Sequence, residues 1–256
     1  MRNHFIGILL AFQFFSIVPI KKSFDMNRHT ITAMYSSMPI VGLAMGLTLA
    51  GMYYLLHLND FSTLFIAIMF VILHTILTGG LHLDGYVDVS DAFFSYQDRN
   101  RRLEILEDSR VGAFGVISVV ILMLVNVAVM YEILLREPSN LYLYIIIFPI
   151  LSRLGIMLLF AKLPCAKDKG LAFYFKTNCH ENKVLISALL SFLLIIAIMI
   201  YFKVYIFLAI VAIFGGGVCL YRRFCMKHFG GITGDLLGAF YEGGHVLCWM
   251  SLLLFV

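Results

Sequence analysis

The stretch Phe61-Ser-Thr-Leu-Phe-Ile-Ala-Ile-Met-Phe-Val-Ile-Leu-His-Thr-Ile-Leu-Thr78-Gly-Gly-Leu-His-Leu-Asp84-Gly-Tyr-Val-Asp88-Val-Ser-Asp91 runs from a long apolar segment directly into three carboxylates. The apolar part suits the roughly 30 Å hydrocarbon core of a bilayer. The acidic part does not, because ionised groups at membrane depth are costly, so it marks a membrane boundary. On a helix, spacings of four and three residues bring Asp84, Asp88 and Asp91 within an arc of roughly 60° over about 10 Å of axis. Like charges that close repel, and all three ionise comfortably only around a cation or when some keep their protons. All-oxygen ligands suit a hard ion such as Mg²⁺, which bridges carboxylates to substrate phosphates. The plainer alternative is a solvated first turn, since Asp also favours helix starts.

Working outward, the chain has 256 residues, 61% of them hydrophobic and 13% charged, and a mean hydropathy of +0.94. That is too apolar for a soluble domain of this size. Apolar segments occupy 4–20, 31–57, 61–81, 111–135, 141–161, 184–201, 204–221 and 236–256, the first short enough to enter only partway. The expected fold is all-α, a polytopic membrane helix bundle of seven or eight transmembrane segments forming one catalytic domain over residues 1–256. All but four of the 19 Lys and Arg residues lie in the loops 21–30, 82–110, 162–183 and 222–235; the four are Arg2, Arg136, Arg153 and Lys203. By the positive-inside tendency those four loops face the cytoplasm, which predicts a multi-pass protein of a prokaryotic cytoplasmic membrane. The net charge of +4 follows from this loop asymmetry and gives no argument for nucleic acid as a partner. Residues 1–20 lack a small-residue cleavage site and read as an ordinary segment rather than a signal peptide. The five cysteines form no C-x-x-C pair or zinc spacing and read as reduced thiols.

Polar residues elsewhere gather at the same membrane level. Asp108, Ser109 and Arg110 precede the fourth segment, and Arg110 either snorkels or grips a phosphate in two places. Arg99, Arg101 and Arg102 alternate with Leu103, Ile105 and Leu106 in a pattern that suits a helix on the membrane surface. Thr233 and Asp235 open the last segment, with Glu242 and His245 further along it. Arg153, alone inside a crossing, is either a buried structural group or a phosphate contact. His82, two positions before Asp84, is a candidate substrate contact, whereas His57 and His74 read as core or interface residues. Lys162, Lys167 and Lys169, followed by Gly170-Leu-Ala-Phe-Tyr-Phe175, make a basic aromatic loop that suits a nucleotide or large ring, although anchoring to headgroups is the commoner use. No Walker loop, Rossmann fingerprint or Ser-His-Asp arrangement is present.

Three motifs then carry a resemblance. Thr78-Gly-Gly-Leu-His-Leu-Asp-Gly with Asp88 and Asp91, Leu103-Glu-Ile-Leu-Glu-Asp-Ser-Arg-Val-Gly-Ala-Phe-Gly115, and Gly231-Ile-Thr-Gly-Asp-Leu-Leu-Gly-Ala239 are similar to the adenosylcobinamide-GDP ribazoletransferase family, the cobalamin synthases. Weaker echoes are Phe14-Phe-Ser-Ile-Val-Pro19, Pro39-Ile-Val-Gly42 and Ser152-Arg153. Tyr86-Val87 and Val89-Ser90 depart from the smaller residues expected between the aspartates. The resemblance implies a Mg²⁺-dependent reaction in which a hydroxyl of α-ribazole, or of its 5′-phosphate, attacks the cobinamide-side phosphorus of adenosylcobinamide-GDP and expels GMP. It implies Asp84 and Asp88 as metal ligands, Asp91 as ligand or base, Arg110 on phosphate, and Asp235 as a second metal or substrate ligand. His82, Asp108, Ser109, Arg153 and Thr233 are the further expected substrate contacts. The lipid bilayer is an expected partner; oligomeric state and association with other corrinoid enzymes stay open. Two rivals differ in sequence pattern. CDP-alcohol phosphotransferases continue Asp-Gly-x-x-Ala-Arg, which Asp84-Gly85-Tyr-Val-Asp does not, and a secondary transporter places acidic groups at the bilayer midplane.

Overall fold

The computed structural model describes residues 2–256, and its regular elements are helices: α1 (Arg2–Phe15), α2 (Arg28–Ser36), α3 (Met38–Leu58), α4 (Thr63–Leu77), α5 (Leu81–Phe94), α6 (Arg99–Ile105), α7 (Ala113–Arg136), α8 (Leu141–Lys162), α9 (Leu171–Thr177), α10 (Glu181–Tyr201), α11 (Ile206–His228) and α12 (Gly234–Leu253). Their starts follow ordinary capping chemistry. Asn27 accepts from the backbone of His29 and Thr30, Asp98 from Arg101 and Thr233 from Leu236, each satisfying N–H groups that a helix start leaves free. The break between α4 and α5 has a different cause. Gly79 and Gly80 both take positive φ, +66° and +74°, a conformation that L side chains adopt only with strain. Their turn bends α5 by 92° from α4.

Five helical stretches are long and apolar enough to cross a membrane: Arg28–Leu58, α7, α8, α10 and α11, or six if the bent pair α4 and α5 is one span. The chain is thus an all-helical, multi-pass membrane protein, with fewer clear spans than the seven or eight read from sequence. The difference has three sources. Helix α1, at 14 residues, is about 21 Å long and falls short of the hydrocarbon thickness. The segment 61–81 ends at the glycine turn, and the helix expected to carry the aspartates follows at a sharp bend, so α4 alone is only 15 residues long. Helix α12 is long enough, but Asp235, Glu242 and His245 dilute its apolarity.

Helix α8 is the axis of the bundle, with 83% of its apolar window buried against 17–39% for the other spans. Close backbone approach fixes its neighbours. A Cβ on Gly42 of α3 would sit 2.8 Å from the Ile150 Cα, and one on Gly46 would sit 2.6 Å from the Ile146 Cα. Small residues four apart let two helices touch where side-chain packing replaces a hydrophobic driving force. The same device joins α5 to α12: a Cβ on Gly85 would meet the Asp235 carbonyl oxygen at 2.7 Å, and one on Gly238 would meet the His82 Cα at 3.1 Å. These two contacts set the site.

Candidate active site

Because Gly85 and Gly238 bring the α5 and α12 backbones together, the residues beside them converge. Asp84 of α5 and Asp235 at the start of α12 both line a cavity of about 560 Å³, with His82 and Thr233. Thr233 caps α12 and also donates to Asp235 Oδ2 at 3.2 Å, which orients that carboxylate. Another part of the wall comes from the loop after α8. Ile232 donates its backbone N–H to the Pro164 carbonyl at 2.9 Å, and Ala166 returns one to the Ile232 carbonyl at 2.9 Å. Gly231 permits this pairing, since a Cβ there would overlap the Pro164 carbonyl. The pairing delivers Lys167 and Lys169 to the cavity wall, where Glu107 also lies. Aromatic rings complete the wall: Phe14, Phe15, Tyr35, Phe173 and Phe175. Acidic, basic and apolar surfaces therefore face one space, as a phosphorylated amphiphile requires.

The three aspartates of α5 do different things. Asp84 faces the cavity and is exposed, and Asp88 is half-buried one turn on, within range of the charges of Asp84, Asp235 and Asp91. Asp91 lies outside the cavity wall and is 9% exposed, its two oxygens accepting from the backbone N–H groups of Gly112 at 2.7 Å and Gly115 at 2.8 Å. It closes the N-terminus of α7, where free N–H groups and the helix dipole favour a negative charge. The glycines of Val111-Gly-Ala-Phe-Gly115 are explained by the same contact, because a Cβ on either would overlap the Asp91 carboxylate. Residues 21 and 24 positions apart in two sequence motifs thus form one joint.

The loop before α7 does not bring Arg110 into the cavity. Its guanidinium is 87% exposed and forks onto Asp108, with Nε and Nη2 donating at 3.0 and 2.7 Å. Hydrogen bonds from Arg110 hold the Asp108 carboxyl down at about 2. Ser109 is exposed, and neither it nor Asp108 lines the cavity. Helix α6 is tied to neighbouring helices through its arginines. Arg102 stacks 5.4 Å over Phe93 and meets His228 Nδ1 at 3.0 Å, while the Arg99 guanidinium covers Gly230.

Arg153 is fully buried and, among the described residues, has no carboxylate partner within ion-pair distance. It donates to Tyr241 Oη at 2.8 Å, the Pro149 carbonyl at 3.1 Å and Met45 Sδ at 2.6 Å, and lies 4.7 Å over the Tyr241 ring. These contacts tie α8 to α12 and α3 behind the cavity. His82 is 4% exposed with its ring centroid 4.2 Å from that of Tyr241, and its Nε2 has no protein partner. Of the expected site residues, Asp84, Asp235, Thr233 and His82 meet in the cavity; Asp88 flanks it; Asp91, Asp108, Ser109, Arg110 and Arg153 stand outside its wall. Lys167, Lys169 and Glu107 are the charged lining residues that the motifs did not single out.

Among the described residues no three His, Cys, Asp or Glu side chains converge in metal-binding geometry. The donor set nevertheless fits a hard cation of the kind bound by one or two carboxylates and completed by water and substrate phosphate. Asp84 and Asp235 supply two such carboxylates from separate helices into one space.

A family model described as cobalamin-5-phosphate synthase matches residues 7–253. The adenosylcobinamide-GDP ribazoletransferase of Geobacillus thermodenitrificans is 38% identical over 97% of this chain and 95% of its own length. Those of Geobacillus sp. strain WCH70, 38% identical over the same shares, and of Clostridium botulinum strain Alaska E43, 33% identical over the whole of both chains, are also similar. No solved structure matches.

Proposed function

The chain belongs to the cobalamin-5-phosphate synthase family, and from that premise we propose that it joins adenosylcobinamide-GDP to α-ribazole or α-ribazole 5′-phosphate, releasing GMP. A hydroxyl of the ribazole forms a new P–O bond at the cobinamide-side phosphorus, the diphosphate bridge breaks, and its electron pair leaves on GMP. The observation that carries this reading is the meeting of Asp84 and Asp235 in one cavity that is also lined by Lys167, Lys169 and aromatic rings. Phosphoryl transfer needs positioning and charge neutralisation more than covalent help from a side chain.

Asp84 and Asp235 are the groups we assign to hold Mg²⁺, which would neutralise the diphosphate and the departing phosphate of GMP. The Asp84, Asp88 and Asp235 cluster takes the proton that the attacking hydroxyl gives up. Thr233 keeps Asp235 aimed, and the buried Nε2 of His82 offers a hydrogen bond to a bound substrate. Asp91 positions the site from behind by fixing α7 against α5.

We place the enzyme in a prokaryotic cytoplasmic membrane with the cavity facing the cytoplasm. The loops that frame the cavity, 82–110, 162–183 and 222–235, are the ones rich in Lys and Arg. Purified protein reconstituted in lipid, given adenosylcobinamide-GDP and α-ribazole 5′-phosphate or free α-ribazole, should release GMP and form the cobalamin product in equal amounts. A folded protein that yields neither with both nucleophiles refutes the reaction.

A further inference from the structure

Lys167 and Lys169 reach the cavity from a loop pinned by backbone pairing, yet their partner in the structure is a single carboxylate. Glu107 Oε1 accepts from Lys167 Nζ at 3.0 Å, and Glu107 Oε2 accepts from Lys169 Nζ at 3.0 Å. One two-oxygen anion thus spans two ammonium groups at the wall of the cavity that Asp84 and Asp235 also line. The two lysines differ in setting. Lys169 is 70% exposed, whereas Lys167 is 15% exposed and also donates to the Leu103 carbonyl at 3.4 Å. A largely buried ammonium that lines a cavity and has three protons to place can serve a ligand entering that cavity.

We propose that Lys167, assisted by Lys169, is the subsite for the diphosphate of the nucleotide-activated substrate, and that Glu107 occupies it as a placeholder until that diphosphate displaces it. The inference rests on the proposed reaction and deepens it by assigning the substrate's anionic bridge to residues. Three observations converge on it. The cavity contains two cationic side chains, and both are on this loop. The backbone just before Lys167 is paired with that of Ile232, three residues before Asp235, while Glu107 comes from a separate, exposed loop. Of the other candidates for phosphate, Arg110 is already forked onto Asp108 and Arg153 is buried against Tyr241 and Met45, and neither lines the cavity. A diphosphate between Lys167 and the two carboxylates would have cations on both sides once a divalent ion is bound, and it offers more negative oxygens to the lysines than Glu107 does. Charge-assisted hydrogen bonds of this kind are strong enough to govern which anion wins.

The test is binding of inorganic pyrophosphate to the full-length protein in lipid nanodiscs, measured calorimetrically without divalent cations, with inorganic phosphate run in parallel. Lys167→Ala should weaken pyrophosphate binding roughly tenfold or more, and Lys167→Arg should restore most of it. Glu107→Gln should tighten pyrophosphate binding several-fold, because the competing anion is gone, and that gain should vanish in the Lys167→Ala background. In turnover, Glu107→Gln should lower KM for adenosylcobinamide-GDP and leave KM for α-ribazole 5′-phosphate unchanged. A merely structural latch predicts the reverse: Glu107→Gln would loosen the loop and leave pyrophosphate affinity unchanged or weaker, which overturns the proposal. An equal effect on inorganic phosphate and on the KM for α-ribazole 5′-phosphate would assign the lysines to the nucleophile's phosphate and likewise overturn it. If Lys167→Ala does not fold, the Glu107→Gln arm decides alone. Pyrophosphate binding is read without turnover, so a chain that binds it in this way but makes no cobalamin sinks the proposed reaction and leaves the subsite standing.

Discussion

Substituting Asp91 by Asn separates two roles that the sequence alone leaves together, metal ligand and helix cap. In the structure both Asp91 oxygens receive backbone N–H groups at the start of α7, and the residue is 9% exposed. Asn keeps one acceptor oxygen and turns an amide N–H₂ toward the other donor. The change removes one hydrogen bond to a charged group, about 1.5–3 kcal/mol, and a favourable charge at a helix N-terminus, about 0.5–1 kcal/mol. A loss of about 2–4 kcal/mol in a chain of this length corresponds to a Tm drop of roughly 5–15 °C. The assay is thermal unfolding of the detergent-solubilised protein, paired with GMP release measured well below the melting range. The expected outcome is the lower Tm with activity kept within about tenfold of wild type, since the groups that face substrate are untouched. Gly112→Ala and Gly115→Ala should give the same phenotype, because each Cβ overlaps the carboxylate. An Asp91→Asn protein that melts like wild type and is catalytically dead would refute the capping role and make Asp91 a reacting or metal-binding group.

Gly85→Ala places a Cβ 2.7 Å from the Asp235 carbonyl oxygen and must push α5 from α12; it should cut GMP release at least tenfold, whereas Gly238→Ala, whose closest approach is 3.1 Å, should be milder, and equal activities would show that this crossing does not set the site. The Asp108 carboxyl is held near 2 by Arg110, below its unfolded range, so its contribution to stability is complete above that range and is lost only as pH falls through about 2. Between about pH 5 and 9 the pair is therefore constant, and the pH–rate profile of Asp108→Asn should keep the wild-type shape even if its height changes.

Apolar run length in α7, α8, α10 and α11 was enough to read the membrane fold, because the bilayer demands it residue by residue. What eluded the sequence was geometry made by pairs of distant glycines. Gly79 and Gly80 read as a boundary, but that both take positive φ and turn the chain by 92° is a property of the backbone. The start of α12 reads as a second polar cluster opening the last segment, but the sequence does not reveal that Gly85 and Gly238 draw this helix against α5, where Glu242 and His245 are buried in protein. The spacing of the aspartates correctly places them on one α5 face, and Asp84 and Asp235 do share a cavity. Spacing does not reveal that Asp91 faces the α7 N-terminus, since that requires knowing that Gly112 packs there. Lys167 and Lys169 stand out in the sequence as part of a basic aromatic loop, but headgroup anchoring and the rule that puts cations in cytoplasmic loops account for them equally well. Their signal was the aromatic run that follows, which lines the same cavity as the lysines.

The central claim is that carboxylates from two helices, Asp84 and Asp235, hold one divalent cation against the substrate's diphosphate. Titrating Mg²⁺ in the GMP-release assay with reconstituted wild type, Asp84→Asn and Asp235→Asn tests it directly. The account predicts that wild type is inactive without Mg²⁺ and saturates with it, and that both variants lose at least about 100-fold in activity at low Mg²⁺ and need far more of the ion to recover any. Variants that turn over at the wild-type rate with an unchanged Mg²⁺ requirement would contradict it.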